Sequence, residues 1–542
     1  MRKILIYTGV LSLIVASCTK SFDEVNTDPT QASSSTFDPN LLLPTAEINY
    51  LSTTMGYSGA ILFQSMWVQI FANAEYPSYY TNGDKYVASG NILTYDASIW
   101  NNAYDAASKA KEIQNLIAVK QMDAPNLSGI AFIVELLNLE LVTDVYGDCP
   151  YTEALQAKTG NIALPVYDKQ SDIYPAMLNS LDSVIATLNA GADKVTNDVI
   201  YQGDIDKWKK FGYSLMLRMA MRLTKVDATT AQKYAEKAAA GGTFSSIADD
   251  AYITYDHDDG YNNPNAAALQ VPEDFSQVRW GKTLMDYLKA NDDPRVSVIA
   301  EIPKNGKTNN LDETLDGDRT YDKQVGMPNG YDQNGGATDI TKASNYPGVS
   351  PADPSISGDA PFVVGLYSRP TTAIYVRDLN TPGFILTYAE TELLLAEAAV
   401  RGWNVGGTAA QHYHNGLSAA LQTYATLNSA GTISSATAEA YATAHPLDQS
   451  STTAALAQIN TQFWATTGTL FNFIEAWNNW RRSGYPALTP VNYPGTGNFS
   501  KGQIPRREIY PSSEPSNNGE NYDAAKSAMG GDDWTTRVWW DK

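Results

Sequence analysis

Apolar residues recur at helical spacing along most of this chain. Between Asn126 and Val142, Ile130, Val134, Leu137 and Leu141 return at steps of four, three and four, while Ile133, Leu136 and Leu139 cover a second face. A helix that is apolar on most sides belongs in a core. Between Asp206 and Thr224, Trp208, Phe211, Leu215 and Met219 form one stripe, with Arg218 and Arg222 one turn apart beside it, placed to pair with buried acids. Between Ile385 and Trp403, Leu386, Leu393, Leu394, Ala396 and Ala399 form the apolar set, and Gly402 supplies the usual C-terminal stop. The same reasoning predicts helices near 41–75, 97–121, 171–189, 229–240, 278–290, 406–427 and 452–482. Strand patterns are few, the best being Phe362 to Leu366 and Thr372 to Val376, so the expected class is mainly α with minor β.

Two stretches break the periodicity. Pro303 to Pro361 is rich in Gly, Asn, Asp, Thr and Pro, and reads as a long irregular excursion that faces a ligand. Ala425 to Thr453 is dominated by Ala, Ser and Thr, and reads as solvated helices and a loop. Helix pairs joined by short turns also suggest tetratricopeptide units, although no stretch meets the full consensus.

The N-terminus has its own logic. Arg2 and Lys3 precede an apolar run from Ile4 to Val15, then Ala16, Ser17 and Cys18, a run too short to span a bilayer. This is the form of a bacterial lipoprotein signal: residues 1–17 are removed and Cys18 takes the lipid. Residues 18–37, poor in apolar side chains, form a lipidated tether, and 38–542 form the folded part. A lipidated Cys18 leaves Cys149 without a partner, so no intrachain disulfide is expected and the core alone must hold the fold.

Charge narrows the function. The formal net charge is −21, and loss of the signal takes it to −23. That surface repels nucleic acid, which needs clustered Lys and Arg. With 33 Tyr and 11 Trp, the chain instead has the aromatic excess that suits binding surfaces.

Catalytic signatures are missing: the chain contains no His-Glu-x-x-His, no Gly-x-Ser-x-Gly and no Cys-x-x-Cys. The Gly-Lys-Thr tripeptides at Gly281 and Gly306 lack the earlier glycine of a phosphate loop. His412 and His414, two apart on a helix, read as surface histidines rather than metal ligands. Asp256 to Gly260, and Asp312 to Asp322, have carboxylates but not calcium-loop spacing, and read as polar turns. No metal, cofactor or catalytic residue is therefore expected. A paired-carboxylate glycosidase remains the alternative, because two acids suffice for that chemistry.

Aromatic clusters carry the binding expectation. Tyr76, Tyr79, Tyr80 and Tyr86 are interleaved with Asn73, Asn82 and Asp84; Trp100 and Asn101 sit at a helix head; Tyr255 to Tyr261 and Tyr331 to Tyr346 are similar. A pyranose offers a C–H face to an aromatic ring and hydroxyls to amides and carboxylates. Tyr76, Tyr79, Tyr80, Asn82, Asp84, Tyr86, Trp100, Asn101, Tyr261, Tyr331 and Tyr346 are the expected ligand contacts, with ordinary packing as the competing explanation for each.

Several blocks together resemble one family. They are Thr143 to Leu155 (TDVYGDCPYTEAL), Trp208 to Arg222 (WKKFGYSLMLRMAMR), Tyr388 to Trp403 (YAETELLLAEAAVRGW), Phe473 to Trp477, Pro505 to Glu514 and Val538 to Asp541. The chain resembles the SusD/RagB-type lipoproteins of Bacteroidota. That resemblance implies a single mainly α-helical domain on four tetratricopeptide-like helix pairs, with long irregular loops. It implies an outer-membrane, surface-exposed lipoprotein partnered with a SusC-like TonB-dependent transporter, capturing glycans or, in some relatives, peptides. It transfers no ligand-contact position, because contacts in the family come from variable loops.

Overall fold

The computed structural model describes residues 36–57, 60–75, 80–87, 92–491, 493–494 and 500–542. Cys18 and the rest of the expected tether up to residue 35 lie outside them, as do Tyr76 and Tyr79.

The long helices are α1 (Leu43–Thr54), α2 (Ile92–Lys120), α3 (Pro125–Tyr146), α4 (Gln170–Thr187), α5 (Ile205–Arg222) and α6 (Ala228–Gly241), then α7 (Lys282–Ala290). After the irregular middle of the chain come α8 (Tyr388–Val400), α9 (Ala409–Gln422), α10 (Ser435–Ala444), α11 (Thr452–Thr469) and α12 (Phe473–Ser483). Short connections fold α2 onto α3, α5 onto α6, α8 onto α9 and α11 onto α12, giving four packed helix pairs. Local chemistry starts them. Asp204 Oδ1 accepts the Asp206 and Lys207 amides at 3.1 Å to cap α5, and Thr387 with Glu390 forms a capping box on α8. Gly402, with φ +82°, follows α8 as the C-terminal glycine should.

Four of the blocks that carry the family resemblance, those holding Asp144, Arg218 with Arg222, Glu475 and Trp540, meet in one buried charge network. Arg218 on α5 pairs with Glu140 on α3 at 2.7 Å. Arg222, one turn on, pairs with Asp144 at 3.2 Å and with Glu475 on α12 at 2.5 Å. Asp144 also accepts from Asn478 at 3.1 Å and from the Trp540 indole at 3.0 Å. Both arginines therefore pair with buried acids, as their spacing predicted. Gly147, at φ +88°, makes the tight turn leaving α3. Cys149 is buried and unpaired, and its backbone bridges to Asp168.

Strands are short and always antiparallel pairs: β1 (Phe71–Ala72) with β3 (Arg279–Trp280), β2 (Ala251–Ile253) with β6 (Gly383–Leu386), and β4 (Ala300–Glu301) with β5 (Arg369–Pro370). Several local expectations give way to tertiary packing. The apolar run 41–75 is not one helix: α1 stops before Gly56, whose φ is +68° and whose amide donates to Asn265 Oδ1 at 2.7 Å. Helix 452–482 is two helices, because Phe471 at φ +62° turns its ring onto Tyr375, 4.4 Å between centroids. Thr372 to Val376 is a helical turn rather than a strand, since Ile374 and Tyr375 are both buried. Phe362 to Leu366 coils after a single bridge to Ser350, sending Val364 into a satellite core with Met327 and Ile340. Residues 385 and 386, expected in a helix, close the β2–β6 pair instead. His412 is a correction as well: it is buried, with Nδ1 2.9 Å from Glu392 and Nε2 accepting the Gly407 amide.

Candidate functional site

The pairing of β1 with β3 builds one wall of a cleft. Because the strands run antiparallel, residues leaving β1 lie beside those entering β3, and Asn73 Nδ2 reaches Gln277 Oε1 at 3.4 Å. Glu75 thus stands opposite the short helix Pro272–Gln277, with Glu273, Ser276 and Gln277. The irregular excursion supplies the other wall. The Lys307 amide donates to Ala360 O at 2.8 Å, and Thr308 donates through both its amide and its hydroxyl to Asp359, which fixes Lys307 beside Pro361 and Phe362. Gln333 completes the rim.

Behind these walls Arg279, fully buried, donates to Asn310 Oδ1 at 3.0 Å and Val364 O at 3.3 Å, its guanidinium 5.9 Å from the Phe362 ring centre. The enclosed volume is about 490 Å³, within the range of small-molecule sites. Burial holds the Glu75 carboxyl above its ordinary pKa; the Lys307 ammonium opposes this, and Asp274 and Glu273 add to it. Burial likewise raises Asp274, against the hydrogen bond it accepts from the Tyr57 hydroxyl. The cleft therefore offers one aromatic side chain, two carboxamides, a hydroxyl, two carboxylates and one ammonium. That set can hold a ring with an apolar face and a hydroxylated rim.

The structure brings two of the expected loops here, through Glu75 from the 73–86 loop and Gln333 from the 331–346 segment. The expected contact residues themselves are mostly placed elsewhere. Tyr80 is fully buried, its ring 6.4 Å from Tyr57. Asp84, also fully buried, accepts from Lys85 at 3.0 Å, Asn329 at 2.7 Å, and the amides of Asn73 at 3.1 Å and Gly330 at 2.8 Å. It ties loops together and has no face toward a ligand. Tyr86 is buried at φ +54°. Tyr331 and Tyr346 pack on the satellite core beneath Phe362, with the Tyr346 hydroxyl donating to Val363 O at 2.9 Å.

Trp100 lies in mid-helix, against Tyr104, Tyr146, Tyr167 and Tyr510, and lines a separate pocket of about 280 Å³ with Pro150, Pro165 and Glu514. Asn101 is exposed on the surface of α2. Tyr261 is exposed beside the Asp256 turn, where Asp256 Oδ1 accepts from the Asp258 and Asp259 amides, so that segment is a polar turn. Of Asn82 only the helical backbone is described. Sequence reasoning missed Glu273, Gln277, Lys307 and Phe362 as individual residues. Nothing in their spacing marks them, since strand pairing and the Lys307–Ala360 bond bring them together. Among the described residues, no group of three or more His, Cys, Asp or Glu is placed to hold a metal ion, and no helix is long and apolar enough to cross a membrane.

A family model described as starch-binding and associating with the outer membrane matches residues 30–511. A chitin-binding protein of solved structure is 29% identical, with a TM-score of 0.74 over 93% of this chain and all of that one. A Bacteroidetes SusD-like protein is 24% identical with a TM-score of 0.76 over the same shares, 93% and 100%. A chitin-binding SusD homologue from Flavobacterium johnsoniae is 22% identical, with a TM-score of 0.69 over 92% of this chain and 97% of that one. Comparison with curated proteins gave no match. A match across most of the length, on the fold and helix pairs described above, places the chain in the SusD-like family.

Proposed function

We propose that this protein is a cell-surface lipoprotein that captures an oligosaccharide or polysaccharide in the cleft around Phe362 and delivers it to a partner TonB-dependent outer-membrane transporter. The carrying observation is the cleft itself: a partly open Phe362 ring set among Gln277, Gln333, Ser276, Glu75 and Lys307, in a chain of the SusD-like family. The names of two solved relatives favour chitin-type glycans as the first to try.

Calorimetric titration of the mature protein with chito- and malto-oligosaccharides tests it. The expected result is saturable binding to at least one series, weakened about 2- to 10-fold in Phe362→Ala, the size of one aromatic contact. Lys307→Ala, exposed at the rim, should weaken the same event without changing the melting temperature. Unaltered affinity in both variants refutes the placement.

Cys18 is the proposed lipid site. A lipid adds about 0.8 kcal/mol per buried CH₂, and durable attachment takes more than one chain. Cys18→Ala in a native host should release the protein from the envelope; continued outer-membrane retention counts against the anchor.

One observation favours a second reading, a glycoside hydrolase: Glu75, with its raised carboxyl, shares the cleft with Glu273. Steady oligosaccharide turnover lost in Glu75→Gln and Glu273→Gln would establish it in place of capture.

A further inference from the structure

A second cleft, of about 570 Å³, opens between α7, α9, α10 and α11 and shares no residue with the first. Its floor is one face of α11. Ala454, Ala457, Gln458, Thr461 and Gln462 recur at helical spacing, and the two alanines leave room where larger side chains would close the surface. Its walls are aromatic: Tyr287 from α7, Tyr413 from α9 and Tyr441 from α10.

The rings are fixed from behind. The Tyr287 hydroxyl donates to Gln462 Oε1 at 3.1 Å, and the Tyr441 hydroxyl donates to Asp293 Oδ2 at 3.2 Å, Asp293 being paired with buried Arg295 at 2.6 Å. Tyr287 also meets Trp464 edge-on at 6.2 Å. With these two hydroxyls held by protein, their rings line the opening at little entropic cost.

His445 supplies a polar group of known sense. Its ring lies 4.1 Å from Tyr441, and its Nδ1 is 2.9 Å from the Tyr441 carbonyl, which can only accept, so Nδ1 carries the proton. In the neutral ring Nε2 is then an acceptor. Asp448 adds a carboxylate at the rim, and no Lys or Arg lines the cleft among the described residues. Tyr441 and His445 are one turn apart and are the only aromatic residue and the only histidine in the Ala-, Ser- and Thr-rich tract 425–453.

Aromatic walls, acceptors at the edge and no cation match a neutral ring with C–H faces and hydroxyl donors. We propose that this cleft is a second, independent glycan-binding site, taking a neutral sugar unit.

Hydrogen–deuterium exchange of the mature full-length protein with saturating chitohexaose, maltoheptaose or cellohexaose tests the proposal. At least one should protect 441–448 and 454–462, with a dependence on concentration separate from any protection at 273–277 and 306–311. His445→Ala should weaken that protection about fivefold, the worth of one hydrogen bond, while leaving the first cleft unchanged. Ala457→Phe, which fills the floor, should abolish it. Absence of protection at 441–462 with all three sugars, or protection surviving in Ala457→Phe, overturns the proposal. Protection at this cleft alone would leave it standing and refute the assignment of the first.

Discussion

Arg482 on α12 and Glu397 on α8 meet face to face inside the protein. Nη1 donates to Oε1 and Nη2 to Oε2, both at 2.7 Å, with each side chain 1% exposed. This two-point contact joins the third helix pair to the fourth. Arg482 Nη2 further donates to Asn460 Oδ1 at 2.9 Å on α11, so one guanidinium locks three helices.

Removing one partner should be far worse than removing both. Arg482→Met leaves the buried Glu397 carboxylate with Arg401 alone, 2.7 Å away and 28% exposed, and should cost about 3 kcal/mol, whereas Arg482→Met with Glu397→Leu should cost less. Denaturant unfolding of the two variants measures the difference. Burial raises the Glu397 pKa, but Arg482 and Arg401 reverse this and hold it down to about 2. Its contribution is therefore full above about 4.5, the ordinary value, and is lost as pH falls toward about 2.

Glu390 titrates in the opposite sense. Burial, with Glu475 adding to it, pushes its carboxyl to about 8 from an ordinary 4.5, against Arg218 and the hydrogen bonds from Thr387. The folded state binds this proton more tightly, so stability is greatest below about 4.5 and declines as pH rises through about 8. Glu390→Gln keeps an acceptor for the Thr387 amide and removes the ionisation. Its melting temperature should exceed that of the parent at pH ~8 and fall less steeply with pH between ~5 and ~8. Equal slopes in the two proteins would show that Glu390 does not titrate there.

Trp100 tests packing against binding. At 6% exposure, with four aromatic neighbours, it behaves as core. Trp100→Ala should lose about 3–5 kcal/mol of stability. At a temperature where the variant remains folded, its affinity for any glycan bound at the Phe362 cleft should match the parent. Parallel thermal melts and titrations separate the two effects.

Gly306 links backbone strain to the first cleft. Its φ is +91°, and a Cβ there would collide with the Asp359 carboxylate that holds Thr308. Gly306→Ala should cost about 1–3 kcal/mol and displace Lys307, weakening glycan binding. A variant with parental stability and affinity would show that the loop absorbs the change.

Helix identity along most of the chain was legible in the sequence, because apolar side chains at three- and four-residue steps leave a helix no better way to bury them. The stripe Trp208, Phe211, Leu215 and Met219, with Arg218 and Arg222 beside it, forms α5 as read, and both arginines take buried acids, each pair offsetting part of the cost of desolvating its charges. Family membership was legible for the same reason, since the blocks that carry it are the residues whose charges and rings meet in that core.

Everything decided by contacts far apart in the chain needed the tertiary structure. Tyr80 and Tyr86 look in sequence like part of a binding platform, yet helix and loop packing that no local pattern encodes buries them both. Conversely Glu75, Gln277, Lys307 and Phe362 are unremarkable in their own neighbourhoods. They become a cleft because β1 pairs with β3 and the Lys307 amide bonds to Ala360. Periodicity fixes which side of a helix is buried; it carries no record of which distant segment will cover a loop, and a binding cleft is made of such coverings.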